Sequence, residues 1–363
     1  MDFFCILLSK EIQSNQEKEI LKNEIMTKIT ILVAIYNAEH YLAQCLDSLC
    51  EQTLRDIQIV CIDDCSTDAS PQIIARYAAN DSRIVSLKTA HNSGQAVARN
   101  LGLSVAEGEY TTMLDADDWY APDALERAYQ ALQANAENDV AVMRVMLYDQ
   151  ATATATNYPN ATQQRTLSGE EACRLSLTSG IPGINLVRTS LHQRYPYDTT
   201  CKSYSDDNTT RLHYLHARRV VLTDAVYYYR LHAASCTHQC SMKRFDYMEA
   251  NWSMMQQLQH EVSLGNVHHP QELLRIYETH RWENLIGCYG YLYKFRKHFT
   301  ITQRQEVYSR MRQMKRTFNF ALVAPRVKRK FGFWPIANFA LFRLQLHVYF
   351  SIKQHLLGRT VDW

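Results

Sequence analysis

Between Ile29 and Leu114 the chain alternates short β-branched apolar runs with segments of helical spacing, and no other feature narrows the possible folds as much. Ile29 to Ile35 predicts a strand, and Ala38 to Gln52 predicts a helix with Tyr41, Leu42, Cys45, Leu46 and Leu49 on one side. A second strand, Ile57 to Ile62, precedes a helix from about Ser70 to Ala79, with Pro71 in its first turn. Further strands are expected at Arg83 to Leu87, Tyr110 to Leu114 and Val140 to Tyr148, with a helix at Gly94 to Ala106. Strands that alternate with helices form a mainly parallel, doubly wound α/β sheet. Ligands of such sheets bind beyond the carboxyl ends of the strands, where the strand order reverses. Three polar clusters fall on that edge: Tyr36-Asn37, Asp63 to Asp68, and Asp115-Ala116-Asp117-Asp118.

Length and composition set the frame around this pattern. With 363 residues, 46% hydrophobic and 21% charged, the chain can bury a large core, which excludes a disulfide-stapled miniprotein and a disordered chain. The net charge of +2 hides a segregation. Residues 1–240 carry 20 Lys and Arg against 29 Asp and Glu, whereas residues 241–363 carry 19 against 8. Twelve of those basic residues lie between Lys294 and Lys330, with Glu306 as the one acid. The ten cysteines form no CxxC pair and no secretory signal is recognised, so a reduced, cytoplasmic protein is expected. Phe331 to Phe350, the most apolar long stretch, is interrupted by Pro335, Asn338, Arg343, Gln345 and His347, so no membrane span is expected. Residues 1–26, where the apolar-strand pattern has not begun, are expected to be a dispensable extension, residues 27–240 a catalytic domain, and residues 241–363 a basic, mainly helical region. The segment Ala151 to Thr166 is expected to be a hairpin or surface loop.

Asp115-x-Asp117 places two carboxylates at a strand end, the arrangement by which Mg²⁺ or Mn²⁺ is held through few protein ligands while substrate phosphates complete its shell. The alternative is that Asp117 or Asp118 caps the helix after Pro122. Gly94 at a helix start with Arg99 on the next turn suits a diphosphate, or equally a helix of small residues packed closely on the sheet. His268-His269 reads as a solvated loop pair, and Tyr289, Tyr291 and Tyr293 read as amphipathic packing or an acceptor platform.

Val33-Ala-Ile-Tyr-Asn37, Gln52-Thr53, Asp63-Asp-Cys-Ser-Thr-Asp68, Asn92-x-Gly-x-x-x-Ala-Arg-Asn-x-Gly102 and Leu114-Asp-Ala-Asp-Asp-Trp119 resemble, in order, the successive signatures of glycosyltransferase family 2, in its bacterial polysaccharide and lipopolysaccharide type. The resemblance runs from about Lys28 to Asp123 and implies a GT-A fold, a Rossmann-like doubly wound mixed sheet followed here by a helical C-terminal region. It implies an inverting, metal-dependent glycosyltransferase that moves a sugar from a nucleotide-diphosphate donor, a UDP-sugar first among them, to a saccharide or lipid-linked saccharide acceptor. Tyr36, Asn37, Asp63, Asp64, Gly94, Arg99 and Asp115 would bind the donor, and Asp115, Asp117 and His232 would hold Mn²⁺ or Mg²⁺. The family's acidic pair is matched by Asp206-Asp207, with Asp207 as general base, and its Tyr-Tyr-Arg-x-His segment by Tyr228 to His232.

Three positions depart from the family pattern: Ala34 stands in place of Pro, Cys65 in place of Gly, and Asp206 in place of Glu. A catalytically inactive nucleotide-sugar-binding subunit and a nucleotidyltransferase are the competing readings. Nucleic acid is not an expected partner, because the aromatic residues of the basic tail favour a lipid surface. Peripheral docking on the anionic inner face of the cell membrane is the corresponding expectation.

Overall fold

The computed structural model of the chain describes residues 27–200, 203–232 and 240–356. The expected extension at 1–26 lies outside the described residues. The alternating pattern folds as β1 (Ile29–Ile35), α1 (Leu42–Cys50), β2 (Ile57–Asp63), α2 (Ser70–Asn80), β3 (Ile84–Lys88), α3 (Gln95–Leu103) and β4 (Tyr110–Met113). Then come β5 (Trp119–Tyr120), α4 (Ala124–Gln133), β6 (Asn138–Asp149), β7 (Thr154–Asn157), β8 (Thr166–Ser168), α5 (Gly169–Ser176), β9 (Asn185–Arg188), α6 (Thr189–Arg194), α7 (Ser205–His216) and β10 (Arg219–Leu231). Every residue of β2 and all but one of β1 are buried, as continuous apolar runs require when helices cover both faces of a sheet.

The main path through the sheet runs β3-β2-β1-β4-β9-β6-β10-β5. From β3 to β4 all pairings are parallel, β6 and β10 are parallel to each other, and β9 lies antiparallel between β4 and β6. The sheet is therefore mixed, and strand order reverses at β1, which has β2 on one side and β4 on the other. The loops after β1 and β4 consequently open on the same crevice. Helix α3 sits close enough to the sheet that a Cβ on Gly102 would lie 2.7 Å from Ile62 Cδ1. The segment after β6 folds back as β7, an antiparallel hairpin partner of β6.

Past residue 240 the chain is helical: α8 (Tyr247–Ser263), α9 (Pro270–Lys294), α10 (Ile301–Arg316), α11 (Pro325–Lys328) and α12 (Phe339–Leu356). Met254, Met255 and Leu258 of α8 and Leu273 and Tyr277 of α9 share a core with Cys173, Tyr214, Leu215 and Val220, so these helices pack directly on the sheet layer. A separate core joins Trp282, Leu285, Tyr289 and Tyr293 of α9 to Val307 and Met311 of α10 and to Phe342, Leu346 and Phe350 of α12. Tyr289 and Tyr293 are thus packing residues, each side chain contributing about 1.5–3 kcal/mol by leaving water. His268 and His269 donate their backbone N–H groups to Glu170, at 2.8 and 2.9 Å, which ties the loop before α9 to α5. The seven cysteines among the described residues are all free.

Candidate active site

The loop after β1 begins with Tyr36, half of whose surface is exposed, followed by Asn37 in the left-handed region at φ 51°. The Asn37 side chain accepts from the Thr67 N–H at 2.8 Å, and its own N–H donates to Ser66 Oγ at 3.0 Å. Asn37 therefore joins the β1 and β2 loops and leaves the Tyr36 ring presented to solvent. Cys65, also left-handed at φ 62°, occupies the position where the resemblance leads one to expect glycine, and its thiol donates to the Thr89 carbonyl at 3.1 Å.

The adjacent acids Asp63 and Asp64 have different fates. Asp64 is saturated: Oδ1 accepts from Thr89 Oγ1 at 2.7 Å and Ser93 N–H at 2.9 Å, and Oδ2 accepts from Gly94 N–H at 2.7 Å. Asp64 is buried and holds the loop that leads into α3, because the three donors of that loop converge on it. Asp63 is also buried. One of its oxygens accepts from Ser66 N–H at 2.9 Å, while Oδ2 has no hydrogen-bond partner and only Lys88 Nζ, at 3.6 Å, for company. A buried carboxylate oxygen left in that state is an acceptor waiting for a donor group. Gly94, with φ 89° and ψ 158°, adopts a conformation open essentially to glycine alone and starts α3.

Arg99 lies on α3 and is 1% exposed. Its Nε and Nη1 have no hydrogen-bond partner among the described residues. Its guanidinium forms an ion pair with Asp115, after β4, and stands 3.8 Å from Asp206, in the first turn of α7. Arg99 thereby brings together the strand-end carboxylates and the acidic pair, two motifs remote in sequence. Burial raises the Asp115 carboxyl to about 6 in spite of Arg99, with the charges of Asp117 and Asp206 adding to the rise. One guanidinium among three carboxylates leaves negative charge in excess, which suits a divalent cation.

Asp117 accepts from His232, Nε2 to Oδ2 at 2.9 Å, and the other ring nitrogen of His232 lies 3.1 Å from Tyr41 Oη. No group of three or more His, Cys, Asp or Glu side chains converges to cage an ion among the described residues. The fit is to an ion held by Asp115 or Asp117 and completed by phosphate oxygens, the usual manner of Mg²⁺ and Mn²⁺ at phosphate sites. Asp118 does not cap the following helix. It is buried, with Oδ2 accepting from Tyr227 Oη at 2.5 Å and Oδ1 from Arg230 N–H at 2.7 Å, so it fastens β10 beneath the site. The Arg230 guanidinium in turn donates to the Asp117 carbonyl at 2.7 Å and to Gln44 at 2.6 Å.

Asp206 and Asp207 stand at the N-terminus of α7, where free backbone N–H groups favour negative charge. Asp207 has a partner of its own: Arg211, one turn along, lies 3.8 Å away with 5% of its side chain exposed, while nearly half of Asp207 is open. The recess around Asp207 raises its carboxyl above the usual range, Arg211 opposes the rise and Asp206 adds to it. Asp206 and Asp207 thus face different arginines, Arg99 and Arg211. Sequence reasoning gave no site role to Tyr41, Asp118, Arg211 or Arg230, although Asp118 and Arg230 lie inside the motifs 114–119 and 228–232 and Arg211 is spaced one helical turn from Asp207.

Residues 30–195 match the sequence profile of the family described as Glycosyl transferase family 2. The chain is 42% identical over 115 residues to the glycosyltransferase GlyA of Streptococcus pneumoniae, which covers 32% of this chain and 16% of GlyA. It is 28% identical over 226 residues to GlyG of the same organism, 57% of this chain and 72% of GlyG. TarS of Staphylococcus aureus, a poly(ribitol-phosphate) beta-N-acetylglucosaminyltransferase, is 27% identical over 209 residues, 56% of this chain and 35% of TarS. The crystal structure of TarS residues 1–349 with UDP-GlcNAc superposes with a TM-score of 0.69 at 19% identity, over 92% of this chain and 93% of that one. The fold is therefore that of the GT-A glycosyltransferases, and the helical C-terminal region is part of the likeness. The chain spans less than half the length of GlyA and of TarS.

Proposed function

We propose that this chain, whose residues 30–195 form a glycosyltransferase family 2 domain, transfers a sugar from a UDP-sugar to an acceptor hydroxyl in the synthesis of a bacterial cell-surface polysaccharide. One observation carries the reading: Arg99 draws Asp115 and Asp206 to a single crevice at the switch point of the sheet. Tyr36 offers its exposed ring to the nucleotide base, and the unpartnered oxygen of Asp63 accepts a hydrogen bond from the nucleoside. Asn37, Asp64 and Gly94 shape the loops that make this pocket. Asp115 and Asp117 would hold Mn²⁺ or Mg²⁺, with His232 fixing the orientation of Asp117. The ion, when bound, would offset charge on the leaving diphosphate.

Asp207 takes the proton from the acceptor hydroxyl as its oxygen bonds to the anomeric carbon. The bond from that carbon to the diphosphate oxygen breaks, and the nucleoside diphosphate leaves. A single displacement inverts the anomeric configuration and needs no covalent nucleophile. A positioned base of this kind contributes about 10²–10⁴-fold. The relatives support the class of reaction, since TarS is a poly(ribitol-phosphate) beta-N-acetylglucosaminyltransferase and is seen with UDP-GlcNAc.

The deciding experiment incubates the protein with UDP-, GDP- and dTDP-sugars and Mn²⁺, and separates nucleoside diphosphate from pyrophosphate among the products. Release of UDP from one sugar nucleotide, lost in Asp207→Asn, is expected. Pyrophosphate release would establish a nucleotidyltransferase, and donor binding without any turnover in the presence of polysaccharide or lipid-linked acceptors would establish a non-catalytic binding subunit.

A further inference from the structure

Helix α12 has two apolar faces. Phe342, Leu346 and Phe350, spaced four residues apart, are fully buried against Trp282, Tyr289 and Tyr293. The opposite side presents Leu341, Leu344, Val348 and Ile352, at intervals of three and four residues, with exposures of 55%, 58%, 40% and 41%. These four form one stripe on a helix about 27 Å long. The buried face accounts for the stability of the helix; the exposed stripe does not contribute to it.

Beside the stripe stand two further exposed aromatics, Phe331 and Trp334. The turn that carries them is fixed to α12: the Trp334 carbonyl accepts from Gln345 Nε2 at 3.1 Å, and the Phe331 ring meets the Tyr349 ring at 6.1 Å between centroids. Immediately before this turn lie Arg326, Lys328, Arg329 and Lys330. Between Val307 and Leu356 there are ten Lys and Arg and no Asp or Glu.

We propose that this face of the C-terminal region, the outward stripe of α12 with Phe331, Trp334 and the basic residues at 326–330, docks the protein on an anionic lipid bilayer. The stripe lies in the acyl boundary, Trp334 and Phe331 at headgroup depth, and Arg326, Arg329 and Lys330 on the lipid phosphates. Charge decides among the possible occupants. A second copy of the chain would bring like charges together on the same surface, and a nucleic acid has no use for a row of Leu, Val and Ile side chains. An anionic bilayer satisfies both the positive charge and the aliphatic stripe. Among the described residues no helix is long and apolar enough to cross a membrane, so the contact is one of lying on the surface. The sequence assigned the lipid contact to the aromatic residues of the basic tail; the structure leaves Phe331 and Trp334 exposed, turns Phe333, Phe342 and Phe350 inward, and sets an aliphatic stripe outside.

Flotation of the full chain with vesicles of equal parts phosphatidylglycerol and phosphatidylcholine tests the proposal. The protein should float with these vesicles and stay behind with phosphatidylcholine alone, and raising the salt should release it. Leu344→Glu with Val348→Glu, and separately Arg326→Gln with Arg329→Gln and Lys330→Gln, should each lower the bound fraction more than tenfold. All these positions are exposed, so an unchanged melting curve is expected, and the milder pair Leu344→Gln with Val348→Gln guards against misfolding. Sedimentation of the protein alone supplies a second arm. A dimer that the stripe variants dissolve would show a self-association face and overturn the proposal. It is also overturned by flotation that the stripe variants leave intact, or by no flotation at all. Release of UDP from a sugar nucleotide is expected to be unchanged in these variants, which separates failure of docking from failure of the catalytic reading.

Discussion

Arg99 and Asp115 form an ion pair, and the same guanidinium stands 3.8 Å from Asp206 in the first turn of α7. The relationship joins an α3 side chain to two acids that arrive from different parts of the fold. It makes the relative placing of the two acids depend on one buried guanidinium.

Arg99→Met should therefore act on stability as well as activity. Removing one partner of a buried pair leaves uncompensated charge and costs about 3 kcal/mol. Arg99→Met combined with Asp115→Asn should lose less than the two single changes added together, because the charge left unpaired is removed as well. Urea denaturation of the four proteins measures this; strict additivity would show that the two side chains do not interact.

Asp207→Asn is expected to lower kcat by about 10²–10⁴-fold with little change in KM for the donor, the pattern of a group that acts in the transition state. Asp206→Asn should be the milder change in kcat. If Asp206→Asn is the more damaging, the base is the other member of the pair. Arg211→Gln should move the acid limb of the kcat/KM profile to higher pH, since the opposing charge beside Asp207 is lost.

Asp117→Asn and removal of divalent ions should coincide in effect. EDTA is expected to abolish turnover and Mn²⁺ to restore it, while Asp117→Asn should stay inactive with Mn²⁺ present and weaken UDP-sugar binding in calorimetry. Full turnover in EDTA would remove the ion from the mechanism.

Gly94→Ala should destabilise the protein by about 1–3 kcal/mol, since an alanine at φ 89° and ψ 158° is strained. The loop 89–94 would be displaced with it, because Asp64 accepts from the Gly94 N–H. A rise in donor KM in the same variant is the accompanying expectation; unchanged thermal stability would contradict the strained geometry.

Stability should fall between about pH 6.5 and 4. Burial holds His213 near 4, and His192, with its ring centroid 4.6 Å from that of His213 and with the charge of Arg99 also acting on it, is lowered as well. Both are neutral in the fold. As pH drops below 6.5 the unfolded chain takes up protons that the folded one refuses, so stability is lost through that window and levels off for His213 near its folded value. His213 accounts for about 3 kcal/mol of the loss. His213→Gln, which keeps a donor for the Tyr195 carbonyl that His213 meets at 2.9 Å, should flatten the curve.

Periodicity, a property of neighbours along the chain, was sufficient for β1, β2, β3, β4 and β6, for α1 to α3, and for the placing of Tyr36, Asp63 and Asp115 at strand ends. Strand β9 was not legible, because it is four residues long and owes its place to β4 and β6 on either side. The carboxylates could be named as a set from their motifs, whereas their partners could not. Asp63 and Asp64 are chemically alike and adjacent, yet one keeps an open oxygen and the other is consumed by Thr89, Ser93 and Gly94. Arg99 was legible as a candidate for a diphosphate, whereas its ion pair with Asp115 was not, because the two meet only in the folded chain. The amino-acid sequence by itself determined which residues stand at the carboxyl edge of the sheet, since alternation and turn chemistry act locally. Only the tertiary structure decided which of them face the crevice, because hydrogen-bond partners and burial are set by elements that meet in space after the chain has closed.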